Sequence, residues 1–150
     1  MDASTHETRV QEQLKALSSH WGHWEVVKDL VDQLIALTVN LRQSGHPGGS
    51  RSKVHGLVSL LLSGAMRWDI RWPEKRFGDR FILVGGHVVP VVYATLAVLS
   101  EALRIKHRQT GDARYAIRGG ADRAVYPEDL VTFRRHKGLS GHAEMVGKTL

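Results

Sequence analysis

The 150-residue sequence contains no cysteine, and this absence excludes several kinds of chemistry. Disulfides, thiolate nucleophiles and thiolate metal sites are all ruled out. The chain also lacks an opening charged segment followed by an apolar stretch, because residues 1–15 are polar and mixed in charge. Both absences fit a reducing compartment, and we expect a cytoplasmic protein.

Aromatic residues make up only 7% of the chain and are not interleaved with the 21 Lys and Arg residues. Platforms for single-stranded nucleic acid combine stacking rings with cations. The net charge of +6 is therefore interpreted as a solvated surface, and no nucleic-acid partner is expected. The densest basic run, Arg-Arg-His-Lys at 134–137, precedes a glycine-rich loop and could face a phosphate. It leaves a non-catalytic basic binding module as an alternative.

Residues 81–100 contain no Asp, Glu, Lys or Arg and are about long enough to cross a bilayer. Gly85, Gly86 and Pro90 interrupt this run, where backbone groups are hardest to satisfy in lipid. A buried strand at 80–84, a tight turn and a helix explain the same pattern, so no membrane partner is expected.

Apolar spacing predicts a largely helical chain around that strand. The predicted helices cover residues 7–17, 24–42, 50–66, 91–103 and 127–133. Gly45 and Pro47 are expected to terminate the second helix, and Ser50 to cap the third. Strand, turn and helix together predict an α/β fold in one domain.

Three glycine-histidine steps stand where periodic segments begin or end: Gly45-His46, Gly86-His87 and Gly141-His142. Glycine lets the backbone bend sharply and approach a ligand closely, and loops carry many functional residues. Imidazole titrates near neutrality and can transfer protons. The three histidines are therefore candidates for one site assembled from distant segments.

Two other interpretations of these histidines are weaker. A catalytic zinc ion can bind three histidines, but these lack the short paired spacing that anchors such sites. The Gly-His-Pro-Gly-Gly-Ser segment at 45–50 could cradle an anion at a helix start, although no Lys-Ser/Thr pair follows.

Four segments together resemble the N-terminal part of transketolase and occur in that family's order. They are Ser-Gly-His-Pro-Gly-Gly at 44–49, Gly-Asp-Arg-Phe-Ile-Leu-Val-Gly-Gly-His at 78–87, Asp-Leu-Val-Thr-Phe-Arg-Arg at 129–135 and Gly-His-Ala-Glu at 141–144. The resemblance spans about residues 26–144. It implies a thiamine diphosphate-dependent enzyme of α/β architecture, in which the cofactor lies at a dimer interface and supplies the electron sink.

The resemblance also implies roles for particular residues. In transketolases the histidine of the first block contacts the ketose phosphate, which places a substrate-binding and catalytic residue at His46. The histidine of the second block lies near the cofactor diphosphate, which makes His87 and the adjacent Gly86 cofactor-binding residues. The histidine of the last block corresponds to His142, near both cofactor and substrate, and is a second catalytic residue.

The chain departs from the family in several ways. Val88 stands where a small residue is usual, so crowding near the diphosphate is expected, and Ala143 replaces a proline. The family's Gly-Asp-Gly motif and downstream Asn, which hold Mg²⁺, are missing, so no metal ligand is expected in this chain. We expect an incomplete, helix-rich N-terminal part of a parallel-sheet diphosphate-binding domain over residues 1–150, with a helical lead-in over about 1–23.

The expected function is transfer of a two-carbon ketol unit between sugar phosphates, with inactivity of this chain alone. The expected partners are a sugar phosphate substrate, the remaining transketolase chain or subunit, and further copies in a dimer or higher oligomer. Thiamine diphosphate and Mg²⁺ would bind the completed enzyme. An alternative is the E1 component of a 2-oxo acid (pyruvate) dehydrogenase, whose bacterial forms resemble residues 78–94.

Overall fold

The computed structural model describes residues 3–72, 75–143 and 148, and this part of the chain is helical. Its α-helices are α1 (Ala3–Ser18), α2 (Trp21–Arg42), α3 (Pro47–Arg51), α4 (Val54–Leu62) and α5 (Pro90–Thr110). Short 3-10 helices cover Gly86–Val88, Ala113–Tyr115, Gly120–Asp122 and Pro127–Thr132. Glu144, the last residue of the fourth transketolase-like block, lies outside the described residues.

The α/β fold predicted from the sequence is wrong for the described residues, none of which forms a strand. Residues 80–84, the predicted buried strand, form an irregular segment in which Ile82 is 79% and Val84 93% exposed. A strand satisfies its backbone by pairing with a neighbour. No neighbouring strand is present among the described residues, so the strand-like composition of this segment is insufficient to make a sheet. The prediction of a parallel-sheet domain fails for the same reason.

Helix α2 forms because Val27, Val31 and Ile35 recur every four residues and are all buried. It begins earlier than predicted, at Trp21, and ends at Arg42 as expected. The left-handed residue that ends it is Gln43, with φ 49°, rather than Gly45.

The single helix predicted for residues 50–66 is two helices, α3 and α4. Ser50 does not cap a helix but lies buried inside α3, where its hydroxyl donates to the Val88 carbonyl over 3.3 Å. Pro47, predicted to block the second helix, occupies the first turn of α3. This is the position where proline fits best, because no helical hydrogen bond is lost there.

Two hydrophobic clusters share α5. One face of α5 packs on α2 and α4, through Val91 and Ala94 against residues such as Ile35 and Val58. The other face packs on the segment 125–139, through Tyr93 and other residues. The buried residues of this second cluster, from both sides of the contact, are Val89, Tyr93, Leu96, Ala97, Val125, Leu130, Phe133 and Leu139. Helix α5 is therefore the central element of the fold, because both hydrophobic clusters pack against it.

By length and composition, the segment Gly86–Thr110 could cross a membrane, and it is the one such helix in the described ranges. However, 56% of its most apolar window is buried against the rest of the chain. The central helix of a compact core meets the same criteria, so this observation is weak evidence for a membrane span.

Candidate active site

His46 lies on the reversal between α2 and α3. Gly45 has a φ of 137°, which residues with a β-carbon rarely adopt. A Cβ on Gly45 would also lie 3.0 Å from Cγ2 of Val39 in α2. Glycine therefore allows the chain to turn back closely over the end of α2, and the side chain of His46 remains exposed.

His87 lies in the short 3-10 helix Gly86–Val88 that leads into α5, and it too is exposed. Its neighbour Val88 is only 1% exposed and packs against α3. A Cβ on Gly49 would lie 2.7 Å from Cγ1 of Val88, so only glycine allows this approach. The hydrogen bond from Ser50 to the Val88 carbonyl strengthens the same junction.

That junction brings two of the candidate histidines together. The ring centroids of His46 and His87 are 4.8 Å apart, with an interplanar angle of 72°. The two rings meet edge to face, and both residues are exposed to solvent. Two imidazoles separated by 41 positions in sequence therefore form one surface.

His142 lies against the same turn. A Cβ on Gly86 would lie 2.6 Å from Cδ2 and 3.4 Å from Cγ of His142, so the imidazole covers the α-carbon of Gly86. All the residues assigned to the site from the sequence, His46, Gly86, His87 and His142, thus lie around one turn of the chain.

The side chain of Arg134 contacts residues close to two of these histidines. The sequence analysis identified Arg134 only as part of a basic run. Its guanidinium donates to the hydroxyl of Ser44, close to His46. A Cβ on Gly141, next to His142, would lie 2.7 Å from Nε of Arg134. Arg134 also has a left-handed φ of 55°, and its carbonyl accepts from Arg42 over 3.4 Å.

The remaining members of the basic run differ from Arg134 in burial. Arg135, His136 and Lys137 are exposed, whereas Arg134 is half-buried. Lys137 of the same run also has a positive φ, so the contacts with Ser44 and Gly141 are what distinguish Arg134. Such long-range contacts leave no signal in the composition. The partner Ser44 was visible only as part of the first transketolase-like block.

Val88 lies at the joint between two loops, where its side chain is 1% exposed and packs against Gly49. The crowding of a bound diphosphate expected from this residue stays a prediction.

No family model, curated protein or solved structure matches this chain. The likeness to transketolase therefore depends only on the sequence segments quoted above.

The chemistry available at this site is anion binding and proton transfer. Three imidazoles and one guanidinium offer N–H donors to phosphate oxygens, and imidazole can also exchange protons with a hydroxyl or carbonyl. Within residues 3–72, 75–143 and 148, no group of three or more His, Asp or Glu side chains could hold a metal ion.

Proposed function

We propose that this chain is the cofactor-side portion of a transketolase-like enzyme that moves a two-carbon ketol unit between sugar phosphates. One observation carries the proposal: the three Gly-His steps, spread over 97 positions, meet around Gly86. The participating residues are those that the family resemblance assigns to cofactor and substrate.

The donor set fits the anionic part of thiamine diphosphate and of a sugar phosphate. His87 and His142, next to Gly86, would bind diphosphate oxygens, and His46 would bind the substrate phosphate or an adjacent hydroxyl. Bound thiamine diphosphate supplies an electron sink for cleaving the bond next to a carbonyl. Arg134 would act as a positioning residue through Ser44 and Gly141, and His46 and His142 would exchange protons with substrate hydroxyls.

Further protein is required by this proposal, because the described residues offer no cluster for Mg²⁺. The exposed apolar side chains Phe77 (94%), Ile82 (79%) and Val84 (93%) support such a partner. Side chains of this kind are normally covered by protein when they occur together. We propose the remaining transketolase chain or subunit as the partner, in a cytoplasmic dimer or higher oligomer.

A titration with pyrophosphate tests the anion site in the isolated chain. We expect the imidazole NMR signals of His46, His87 and His142 to shift together and saturably, while His55 on α4 does not respond. The variant His55→Asn is the matched control for His87→Asn, which should weaken the response. A response confined to His136 would instead favour a basic binding module.

The reaction is tested on the assembly that contains this chain in its native cells, supplied with thiamine diphosphate and Mg²⁺. We expect ketol transfer between sugar phosphates, reduced at least about a hundredfold by His142→Asn if the residue transfers protons. Decarboxylation of pyruvate without ketol transfer would favour the 2-oxo acid dehydrogenase alternative. Salt-sensitive nucleic-acid binding without either activity would favour the binding module.

A further inference from the structure

A cavity lies between α4, the start of α5 and the residues 66–72 and 75–83, and the proposed function does not use it. Its volume is about 230 Å³. Its walls include Leu57, Leu61, Trp68, Val92 and Leu96. Empty apolar cavities of about 150 Å³ already bind a benzene-sized molecule. The space therefore suits a short alkyl chain or a small ring system.

Two cations lie on the rim of this cavity. Lys75 and Arg80 both line it and are exposed to solvent. Neither side chain forms an ion pair or hydrogen bond within the described part of the chain. An apolar interior with a few convergent polar groups at the opening is the usual form of a small-molecule site.

The acidic groups that line the cavity are already neutralised. Asp79 is paired with Arg67, whose Nη2 lies 3.0 Å from the carboxylate. Asp69 is paired with Arg71, whose Nε lies 2.8 Å away. Lys75 also interacts with the Asp69 carboxylate. Among the described residues around the cavity, the four cationic side chains still outnumber the two carboxylates, and this excess of positive charge favours an anionic head group.

We propose that this cavity binds a small amphiphile with an apolar body and a single anionic head, such as a medium-chain carboxylate. The apolar body occupies the space between Leu61, Trp68 and Leu96. The anionic head meets Lys75 and Arg80 at the rim. The cavity is distinct from the histidine site but adjoins it, because Ala143 lines the cavity while the side chains of His46, His87 and His142 do not.

Three ligands with the same ten-carbon tail test the proposal on the whole chain: decanoate, decanol and decyltrimethylammonium. Isothermal titration calorimetry should give the order decanoate, decanol, decyltrimethylammonium from tightest to weakest. The double variant Lys75→Gln/Arg80→Gln should weaken decanoate about fivefold, as expected for two exposed ion pairs, and leave decanol unchanged. Lys106→Gln/Arg135→Gln removes the same two charges from an exposed lysine and an exposed arginine outside the cavity, and is the matched charge control.

The variant Leu61→Trp tests the location, because the larger ring would fill the cavity and abolish binding of both decanoate and decanol. The rim variant keeps the proposal testable if Leu61→Trp fails to fold, since both of its substitutions are on exposed side chains. Equal affinity for all three ligands, unchanged binding in a folded Leu61→Trp variant, or no saturable binding of decanoate would overturn the proposal.

Discussion

The imidazole of His142 covers the α-carbon of Gly86, so that a β-carbon at position 86 would lie 2.6 Å from Cδ2 of the ring. Real β-carbons do not approach other atoms this closely. The contact links the third Gly-His step to the second, and it makes the absence of a side chain at Gly86 a condition for the arrangement of the site.

Replacing Gly86 with alanine should displace His142 with little loss of stability. The ring is exposed and can rotate away, so we expect the free energy of unfolding to fall by less than about 1 kcal/mol. The pyrophosphate response of the His142 NMR signal should be lost while that of His46 persists. A retained response at His142 in the Gly86→Ala variant would contradict the role assigned to this contact.

The substitution Gly49→Ala should cost more, because its new methyl group would meet Val88, which is buried and cannot move. We expect a loss of about 1–3 kcal/mol in urea unfolding, typical of overpacking. Gly48→Ala is the matched control, since a Cβ there has no atom within 4 Å. Equal stability of the two variants would show that the α3 junction relaxes freely.

Removal of the Arg134 side chain should weaken pyrophosphate binding by the isolated chain. Arg134→Ala deletes the guanidinium that bonds Ser44 and abuts Gly141, and we expect about tenfold lower affinity. Arg135→Ala removes the same charge from an exposed neighbour and serves as control. If calorimetry shows equal losses for both, general charge rather than positioning accounts for Arg134.

The core beneath the site depends on Phe133, which is 0% exposed and packs edge-on against Tyr93 with ring centroids 6.3 Å apart. Phe133→Ala should lower the free energy of unfolding by about 3–5 kcal/mol. Phe77→Ala makes the same change at a side chain that is 94% exposed, and we expect no measurable loss. Denaturant unfolding of the two variants gives a direct comparison, and equal values would contradict the burial.

The ion pair between Asp69 and Arg71 predicts a pH dependence of stability. The hydrogen-bonded Arg71 guanidinium holds the pKa of the Asp69 carboxyl below its usual range. A lowered pKa in the folded state stabilises the fold above the unfolded value of about 4, and this contribution disappears as pH falls through the folded pKa. Asp69→Asn should therefore cost about 1 kcal/mol at pH 7 and less below pH 4.

Thermal unfolding from pH 2.5 to 7 checks this prediction, with Asp122→Asn as the control. Asp122 is exposed and forms no ion pair within the described residues. A constant difference between Asp69→Asn and the unmodified chain over the whole range would contradict the proposed linkage.

Helix positions were largely predictable because each amphipathic pattern is a local property of the chain. The four-residue spacing of Val27, Val31 and Ile35 is enough to predict α2 and its buried face. Exact ends were less predictable, as Gln43 rather than Gly45 takes the left-handed position. A cap depends on the balance between backbone strain and the packing that follows, which sequence spacing does not specify.

The prediction of a strand at 80–84 was wrong, because strand formation, unlike helix formation, depends on a partner segment elsewhere in the chain. Phe81, Ile82 and Val84 have the right composition, but a sheet requires a second strand to satisfy their backbone groups. None is present among the described residues, and α5 packs on other helices instead.

Most helical segments and the three Gly-His steps can be identified from the sequence, because helical periodicity and a glycine next to a histidine involve only residues close together in the chain. The meeting of His46, His87 and His142 around one turn, and the contact of Arg134 with Ser44, are visible only in the folded chain. They arise from close packing: Gly49 against Val88 and Gly86 against His142 bring distant loops into contact, and which small residue meets which large one depends on the folded chain as a whole.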